Sequence, residues 1–221
     1  MLGSFSNRFL ARAGLAGGMA VQPALWAAGR WGMLGEAGGA LRELDRRGLA
    51  WMAAQRNAAL DAFFGAVTHL GSFALTGPLA LLLALALAMR GRHRRAWFVV
   101  GAFGGAALFA QVGKVLVARP RPESAGAVAS MPSDLSFPSA HVTQVTAFAL
   151  VAWFLAQGLA DGRRRAIAVV GAAAVTTVAV SRVYLQVHYP SDVAAGLAGA
   201  AAWVTGLWLA LRPGAARQGT D

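Results

Sequence analysis

SFALTGPLALLLALALAMRGRHRRAWFVVGAFGGAALFAQVG, residues 72–113, decides the fold. Two apolar runs without a charged side chain, 72–89 and 96–113, flank a turn that holds Arg90, Arg92, Arg94 and Arg95. Each is about 18 residues, close to the roughly 20 needed to cross a hydrocarbon core of about 30 Å. The stretch reads as a helical hairpin that crosses a membrane twice. Working outward, charge-free runs at 142–160, 166–181 and 193–211 bring the expected crossings to five. Residues 13–29 are expected as a sixth, although Gln22 and Pro23 interrupt the run, and a signal peptide or an interfacial segment are the alternatives there. The fold class is therefore an all-α, polytopic transmembrane helical bundle of five to six spans. Gly101, Gly104 and Gly105, and Gly196 with Ala200, would let helices approach closely where lipid supplies no hydrophobic drive.

Composition agrees. The 221 residues are 57% hydrophobic and only 13% charged, outside the ordinary soluble range. The absence of cysteine excludes disulfides, thiolate catalysis and cysteine-based zinc sites. A net charge of +11 invites a nucleic-acid reading, but the arginines lie between apolar runs and form no single basic stripe. Membrane lipids are the expected partners, and nucleic acid is not. The oligomeric state has no signal in the sequence. Three regions are expected: an N-terminal segment 1–39 with the possible first span, a membrane domain 40–212, and a disordered tail 213–221.

Between 40 and 66, Glu43, Asp45, Arg46, Arg47, Arg56 and Asp61 alternate with Leu41, Leu44, Trp51, Met52, Leu60, Phe63 and Phe64. That pattern suits an amphipathic helix lying on the membrane surface, with no role beyond anchoring. Orientation follows from Arg90 to Arg95 and from Arg163, Arg164 and Arg165, which the positive-inside rule places in the cytoplasm. Segments 114–141 and 182–192 then lie on the opposite, extracytoplasmic face. Arg42, Arg46, Arg47 and Arg56 go against that rule and are partly offset by the nearby acids.

The polar residues of the two outer segments make a phosphate site on chemical grounds. Lys114, Arg121 and Arg182 supply positive charge, planar and bidentate from the arginines, compact from the lysine. Lys114 is the only lysine in the chain. Pro138 and Pro190 each fit the first position of a spanning helix, which places Ser139, His141 and Asp192 in first turns, where unpaired backbone N–H groups favour an anion. Pro120 and Pro122 end the preceding helix near Ala118 and leave Arg121 on a loop that can turn toward the same point.

Lys114 through Arg121-Pro122, then Pro138-Ser139-Ala140-His141, then Ser181-Arg182 with His188 and Asp192, form a pattern that resembles the type 2 phosphatidic acid phosphatase family. The resemblance spans roughly residues 40–211 and implies a membrane phosphatase acting on a lipid phosphate: phosphatidic acid, phosphatidylglycerol phosphate or a polyprenyl diphosphate. It implies His188 as the nucleophile that becomes phosphohistidine, Asp192 as the carboxylate that orients it, and His141 as the acid for the leaving group. Lys114, Arg121, Ser139, Ala140 and Arg182 would hold the phosphoryl oxygens. No metal and no cofactor are implied. Ala140 stands where such proteins often have glycine, and its N–H still donates. The same motifs resemble those of vanadium haloperoxidases, which are soluble.

Outside the pattern, Arg119 reads as a solvated or headgroup-contacting residue. Glu123 and Asp134 read as a solvated loop whose intervening residues would set lipid selectivity. His93 falls in the arginine turn and His69 just before a span, so neither belongs to the expected site. A transporter or a non-catalytic phosphate-lipid-binding protein is the alternative function. Polar residues gathered at one face, without paired broken helices at mid-membrane, argue against transport.

Overall fold

The computed structural model describes residues 2–34, 37–123 and 134–211, with side chains described over 14–31 and from 39 onward in those ranges. The expected tail and the selectivity loop between Glu123 and Asp134 therefore lie outside the described residues. Among the described residues, regular structure is helical: α1 (Leu2–Leu34), α2 (Ala37–Ala54), α3 (Ala58–Val67), α4 (Phe73–Met89), α5 (His93–Val117), α6 (Ala140–Leu155), α7 (Asp161–Tyr184) and α8 (Pro190–Leu211). A short 3₁₀ turn, Thr68–Gly71, joins α3 to α4. Among the described residues, four helical runs are long and apolar enough to cross a membrane: Ala58–Met89, α5, α7 and α8, with mean hydropathies of 2.0, 1.6, 1.9 and 1.6. At 16 residues α6 is shorter, and it occupies the middle of the bundle, packed against α4, α5, α7 and α8.

Leu81, Leu82 and Leu85 on α4, Leu108 on α5 and Val169 and Val170 on α7 are half exposed or more. An apolar surface of that extent would be a liability in water and is the natural outer face of a bundle in lipid. Inside, Phe98, Val99, Ala102 and Ala106 of α5 pack with Ala147 and Val151 of α6 and Ala200 and Val204 of α8. Phe98 and Phe154 both lie against Trp208, with ring centroids 5.1 and 5.0 Å apart.

Helix ends explain where the expected spans shift. Ser72 caps α4 by accepting from the Leu75 N–H at 3.3 Å. Ala118, left-handed at φ 53°, ends α5 just before Pro120, as the two prolines led one to expect. Residues 142–160 were too long a span: α6 stops at Leu155, and Gly158 turns the chain at φ +103°, a conformation glycine takes readily. Residues 166–181 were too short, because α7 starts at Asp161 and carries the arginines in its first turns, with Arg164 paired to Asp161 at 2.9 Å. A charge-free window misses such residues although they are helical. Pro138 is not a first helical residue: Ser139 is the N-cap and α6 opens at Ala140.

Residues 13–29 form the middle of α1, which runs antiparallel along α8. Gly14 lies beside Leu209 and Gly206, Gly18 beside Ala202, and the buried Gln22 donates to the Gly199 carbonyl at 3.1 Å. The seam is backbone against backbone, since a Cβ on Gly206 would fall 2.5 Å from the Gly14 carbonyl oxygen. Gly105 admits the Trp203 ring in the same way, and Trp203 donates to the Gly101 carbonyl at 3.0 Å. Gly104 has open space around it.

The surface helix expected over 40–66 is two helices broken at Gln55–Arg56, with Asn57 capping α3 through the Leu60 N–H at 3.0 Å. Its exposed apolar residues suit anchoring, but one of its acids turns inward. Leu44 and Trp51 are exposed, whereas the Asp45 side chain is buried at 2%.

These glycines give a direct check on the packing. Gly206→Ala should destabilise by about 2 kcal/mol, as overpacking against rigid backbone does. Gly104→Ala should be neutral or stabilising by up to about 1 kcal/mol through its better helix propensity. Thermal unfolding of the two variants in detergent reads the contrast.

Candidate active site

One end of the bundle collects the C-termini of α5 and α7 and the N-termini of α6 and α8, and each contributes polar side chains. Lys114, in the last turn of α5, is buried at 3% exposure; its Nζ donates to the Leu135 carbonyl and pairs with Asp134 at 2.9 Å. Beyond the α5 cap, Arg121 turns inward as expected. Its Nη1 donates to the Val187 carbonyl at 2.6 Å and lies 3.2 Å from His188 Nε2, while Nη2 pairs with Asp134. Asp134 is half exposed, as expected of a solvated loop residue, but its carboxylate is also shared by two of the expected phosphate-binding cations. Burial works to raise its pKa, but hydrogen bonds from Lys114 and Arg121 win and hold it down to about 2.

His188 owes its place to the α7–α8 connection. Gln186 adopts a left-handed φ of 59°, unusual for a side chain of its size, and is held there by donating to the Leu49 and Val183 carbonyls at 3.1 and 3.0 Å. The chain then doubles back, so that Val187 and His188 both donate to the Arg182 carbonyl at 3.2 Å. Tyr184, Leu185 and Val187 pack under Met52, Leu60 and Phe64, so α2 and α3 roof this connection. The His188 ring is buried at 1% exposure. Burial, opposed by Asp192 and reinforced by Arg182 and Arg121, pulls its pKa down to about 4. At neutral pH the ring is unprotonated.

Asp192, fully buried, sits at the third position of α8 and accepts from the Tyr189 N–H at 3.0 Å, half of a capping box. His188 Nδ1 is 3.5 Å from its Oδ2. The closer partner of that oxygen is a residue the sequence reading missed, Ser136, which donates its hydroxyl to Oδ2 and lies 3.4 Å from His188 Nδ1. Only its place two residues before Pro138 could have drawn notice. Arg119, expected to be solvated, is buried and donates to Asp192 Oδ1 at 2.8 Å, to Ser191 Oγ at 2.7 Å and to Asp45 at 2.7 Å. Asp45 in turn accepts from the Ser191 N–H at 2.9 Å, capping α8 from α2.

Ser139 heads α6 and donates its N–H to the Asp192 carbonyl at 3.1 Å. Ala140, His141 and Val142 follow in the first turn, where N–H groups have no intrahelical acceptor. His141 is half-buried and within charge range of Arg182, His188, Arg121 and His69. His69, set aside in the sequence reading, is exposed on the 3₁₀ turn beside it. Arg182 is buried rather than snorkelling, and its Nη1 donates to Thr68 Oγ1 at 2.6 Å. Two buried groups here have no hydrogen-bond partner among the described residues, Ser139 Oγ and Arg182 Nε. Both belong to the expected phosphate-binding set.

An apolar helical bundle that gathers buried cations, two imidazoles and a carboxylate at one end defines an integral membrane protein with an anion site. Residues 95–213 match the PAP2 superfamily, and the chain belongs to it. It is 44% identical over 123 residues to decaprenylphosphoryl-5-phosphoribose phosphatase of Mycobacterium tuberculosis, a match covering 54% of this chain and 62% of that one. It is 29% identical over 136 residues to phosphatidylglycerophosphatase B of Bacillus subtilis, covering 59% and 64%. The chain thus matches less than two thirds of the length of either relative. The crystal structure of the first transmembrane PAP2 type phosphatidylglycerolphosphate phosphatase from Bacillus subtilis has the same fold, with a TM-score of 0.68 at 23% identity over 90% of this chain and 92% of that one.

The carboxylate on Lys114 and Arg121 should weaken any anion binding at these cations. Asp134→Asn should tighten vanadate binding severalfold, the scale of about 1 kcal/mol for a partly exposed ion pair. Titration calorimetry of the detergent-solubilised protein reads the change.

Proposed function

We propose that this chain is a membrane phosphatase that removes a terminal phosphate from a lipid-linked substrate through a phosphohistidine on His188. The observation that carries the reading is the pair of unpartnered buried donors, Ser139 Oγ and Arg182 Nε, in the neighbourhood of an unprotonated buried imidazole. A phosphoryl group held by them and by Lys114, Arg121 and the first-turn N–H groups from Ala140 onward would satisfy both donors. His188 Nδ1 faces Asp192 and Ser136, so the lone pair for attack is on Nε2, the atom on the Arg121 side.

In this reading Nε2 attacks phosphorus, the P–O bond to the leaving alkoxide or phosphate breaks, and His141 supplies the proton that group takes up. Asp192 and Ser136 stabilise the imidazolium character that develops at Nδ1. His141 then takes a proton from water, whose oxygen attacks the phosphohistidine and releases inorganic phosphate with His188 restored. The cations and helix N-termini supply the positive potential that the transition state needs. The names of the relatives favour a prenyl-linked sugar phosphate or phosphatidylglycerol phosphate as substrate class. The arginine loops support a cell-membrane location with the site on the extracytoplasmic side.

Replacing His188 by Ala should abolish phosphate release, a loss of several kcal/mol of barrier lowering, and should abolish ³²P trapping on the protein. Vanadate should inhibit, and activity should persist in EDTA; activity lost in EDTA and restored by Mg²⁺ would sink the mechanism. His141→Ala should hurt a lipid phosphate more than a nitrophenyl phosphate, whose leaving group needs little proton assistance. Because His188 is neutral above about pH 4, kcat/KM should hold at mildly acidic pH and fall as the pH drops through that value.

The native chain has no cysteine, so orientation can be read from single thiols. Glu123→Cys, exposed near the site, should react with an impermeant reagent on spheroplasts. Gly162→Cys, exposed at the far end, should react only after lysis. The opposite pattern would invert the topology.

A further inference from the structure

Arg119 is a buried cation that the phosphate chemistry leaves unused. Its guanidinium is already committed: one nitrogen donates to Asp192 Oδ1 and Ser191 Oγ, the other to Asp45 Oδ2, and the plane lies 3.8 Å over the Tyr189 ring. So engaged, it is not offered to a phosphoryl group. We propose that Arg119 is a positioning residue for the nucleophile, and that Asp45 on α2 is the anchor that holds it.

One oxygen of Asp192 is held by the Arg119 side chain, and the other is held partly through the Arg119 backbone and partly by the Tyr189 N–H at 3.0 Å. The guanidinium takes Oδ1, and the Arg119 carbonyl accepts the Ser136 N–H at 2.8 Å, which places the Ser136 hydroxyl on Oδ2. A carboxylate left to rotate could offer either oxygen at either angle. With Oδ1 held by one nitrogen of a planar guanidinium whose other nitrogen is tied to Asp45, Oδ2 faces His188 Nδ1 and selects the tautomer whose lone pair is on Nε2. Asp45 makes the fork rigid: its other oxygen accepts the Ser191 N–H at 2.9 Å, so Arg119, the start of α8 and the interfacial helix are held by one carboxylate. The helix read from sequence as a mere anchor thereby becomes part of the catalytic apparatus. A residue that acts this way changes how fast bound substrate reacts, not how tightly it binds.

The inference rests on the phosphatase reading, and the test separates the two. Phosphate release from a short-chain phosphatidic acid and binding of vanadate are measured for the detergent-solubilised wild type, Arg119→Lys, and the double variant Asp45→Asn with Arg119→Met. The double variant removes both members of the Arg119–Asp45 pair, so Asp45 leaves no unpaired charge, while Asp192 loses its guanidinium and keeps the Ser136 hydroxyl and the Tyr189 N–H. Its kcat should fall about thirtyfold, with KM and vanadate affinity within about threefold of wild type. Arg119→Lys should recover kcat to within about tenfold, since the charge remains and the fork is lost. Recovery of wild-type kcat in the double variant would reduce Arg119 to a structural partner of Asp45 and overturn the proposal. So would KM and vanadate affinity weakening in step with kcat, which would make it a phosphate ligand. If the double variant lacks a thermal unfolding transition, Asp45→Asn alone decides: a severalfold drop in kcat at constant KM supports the anchor, and unchanged kcat overturns it. A wild type without phosphate release would overturn both readings, whereas an active wild type with undiminished variants overturns only this one.

Discussion

A carboxylate with no exposure to solvent must be matched by donors, and the match made for Asp192 organises this end of the bundle. Four segments meet to supply it. The loop after α5 brings Arg119, the stretch before α6 brings Ser136, the start of α8 brings its own Tyr189 N–H, and α2 reaches across with Asp45 to complete the pairing of Arg119. Removing Arg119 would leave the Asp192 carboxylate buried without its guanidinium partner. The positions of His188 and of the α6 and α8 N-termini follow from that requirement, because the same residues that satisfy the carboxylate also fix the backbone around it.

The distribution of glycine solves a different problem. Lipid gives apolar helices no reason to leave it for each other, so close backbone approach must supply the attraction. Along α1 and α8 this is achieved with Gly14, Gly18 and Gly206, and between α5 and α8 with Gly199 under Phe109 and Gly105 under Trp203. Close approach continues at the site end, where Gly196 meets the Ser139 carbonyl and Gly71 the His141 carbonyl, and polar pairing is added to it there. Both parts place α6 centrally, where a helix of 16 residues carries the His141 end directly under the cations.

Much of this was legible in the sequence for physical reasons. Membrane crossing depends on length and apolarity, which a window can read, and the prolines at 120, 122 and 190 mark backbone events that proline cannot avoid. The motif residues from Lys114 to Asp192 could be gathered because helix parity puts them on one side. Asp45, Arg119 and Ser136 escaped because their meaning is in pairings across 74, 73 and 56 residues, which no local periodicity encodes. Asp45 in particular sits among charges that suit a surface helix, and only the fold of α2 against α8 turns it inward. Arg163 to Arg165 misled the boundary of α7 for the converse reason: charge was taken to end a helix that in fact begins with it.

Asp134 gives the site a built-in competitor. Its carboxylate already bridges Lys114 and Arg121, so an anion bound as proposed would not fill an empty basin but would trade places with one negative charge. In such an exchange the net gain depends on the difference between the two anions. A phosphodiester, with a single charge, brings little that the carboxylate does not already provide. A terminal phosphomonoester, at −1.5 to −2 near neutral pH, brings more charge and a third acceptor oxygen. If the site takes the lipid phosphate proposed above, then in a bilayer whose bulk lipids are diesters the resident acid would act as a reference weight on the balance, tipping more readily for the doubly charged headgroup.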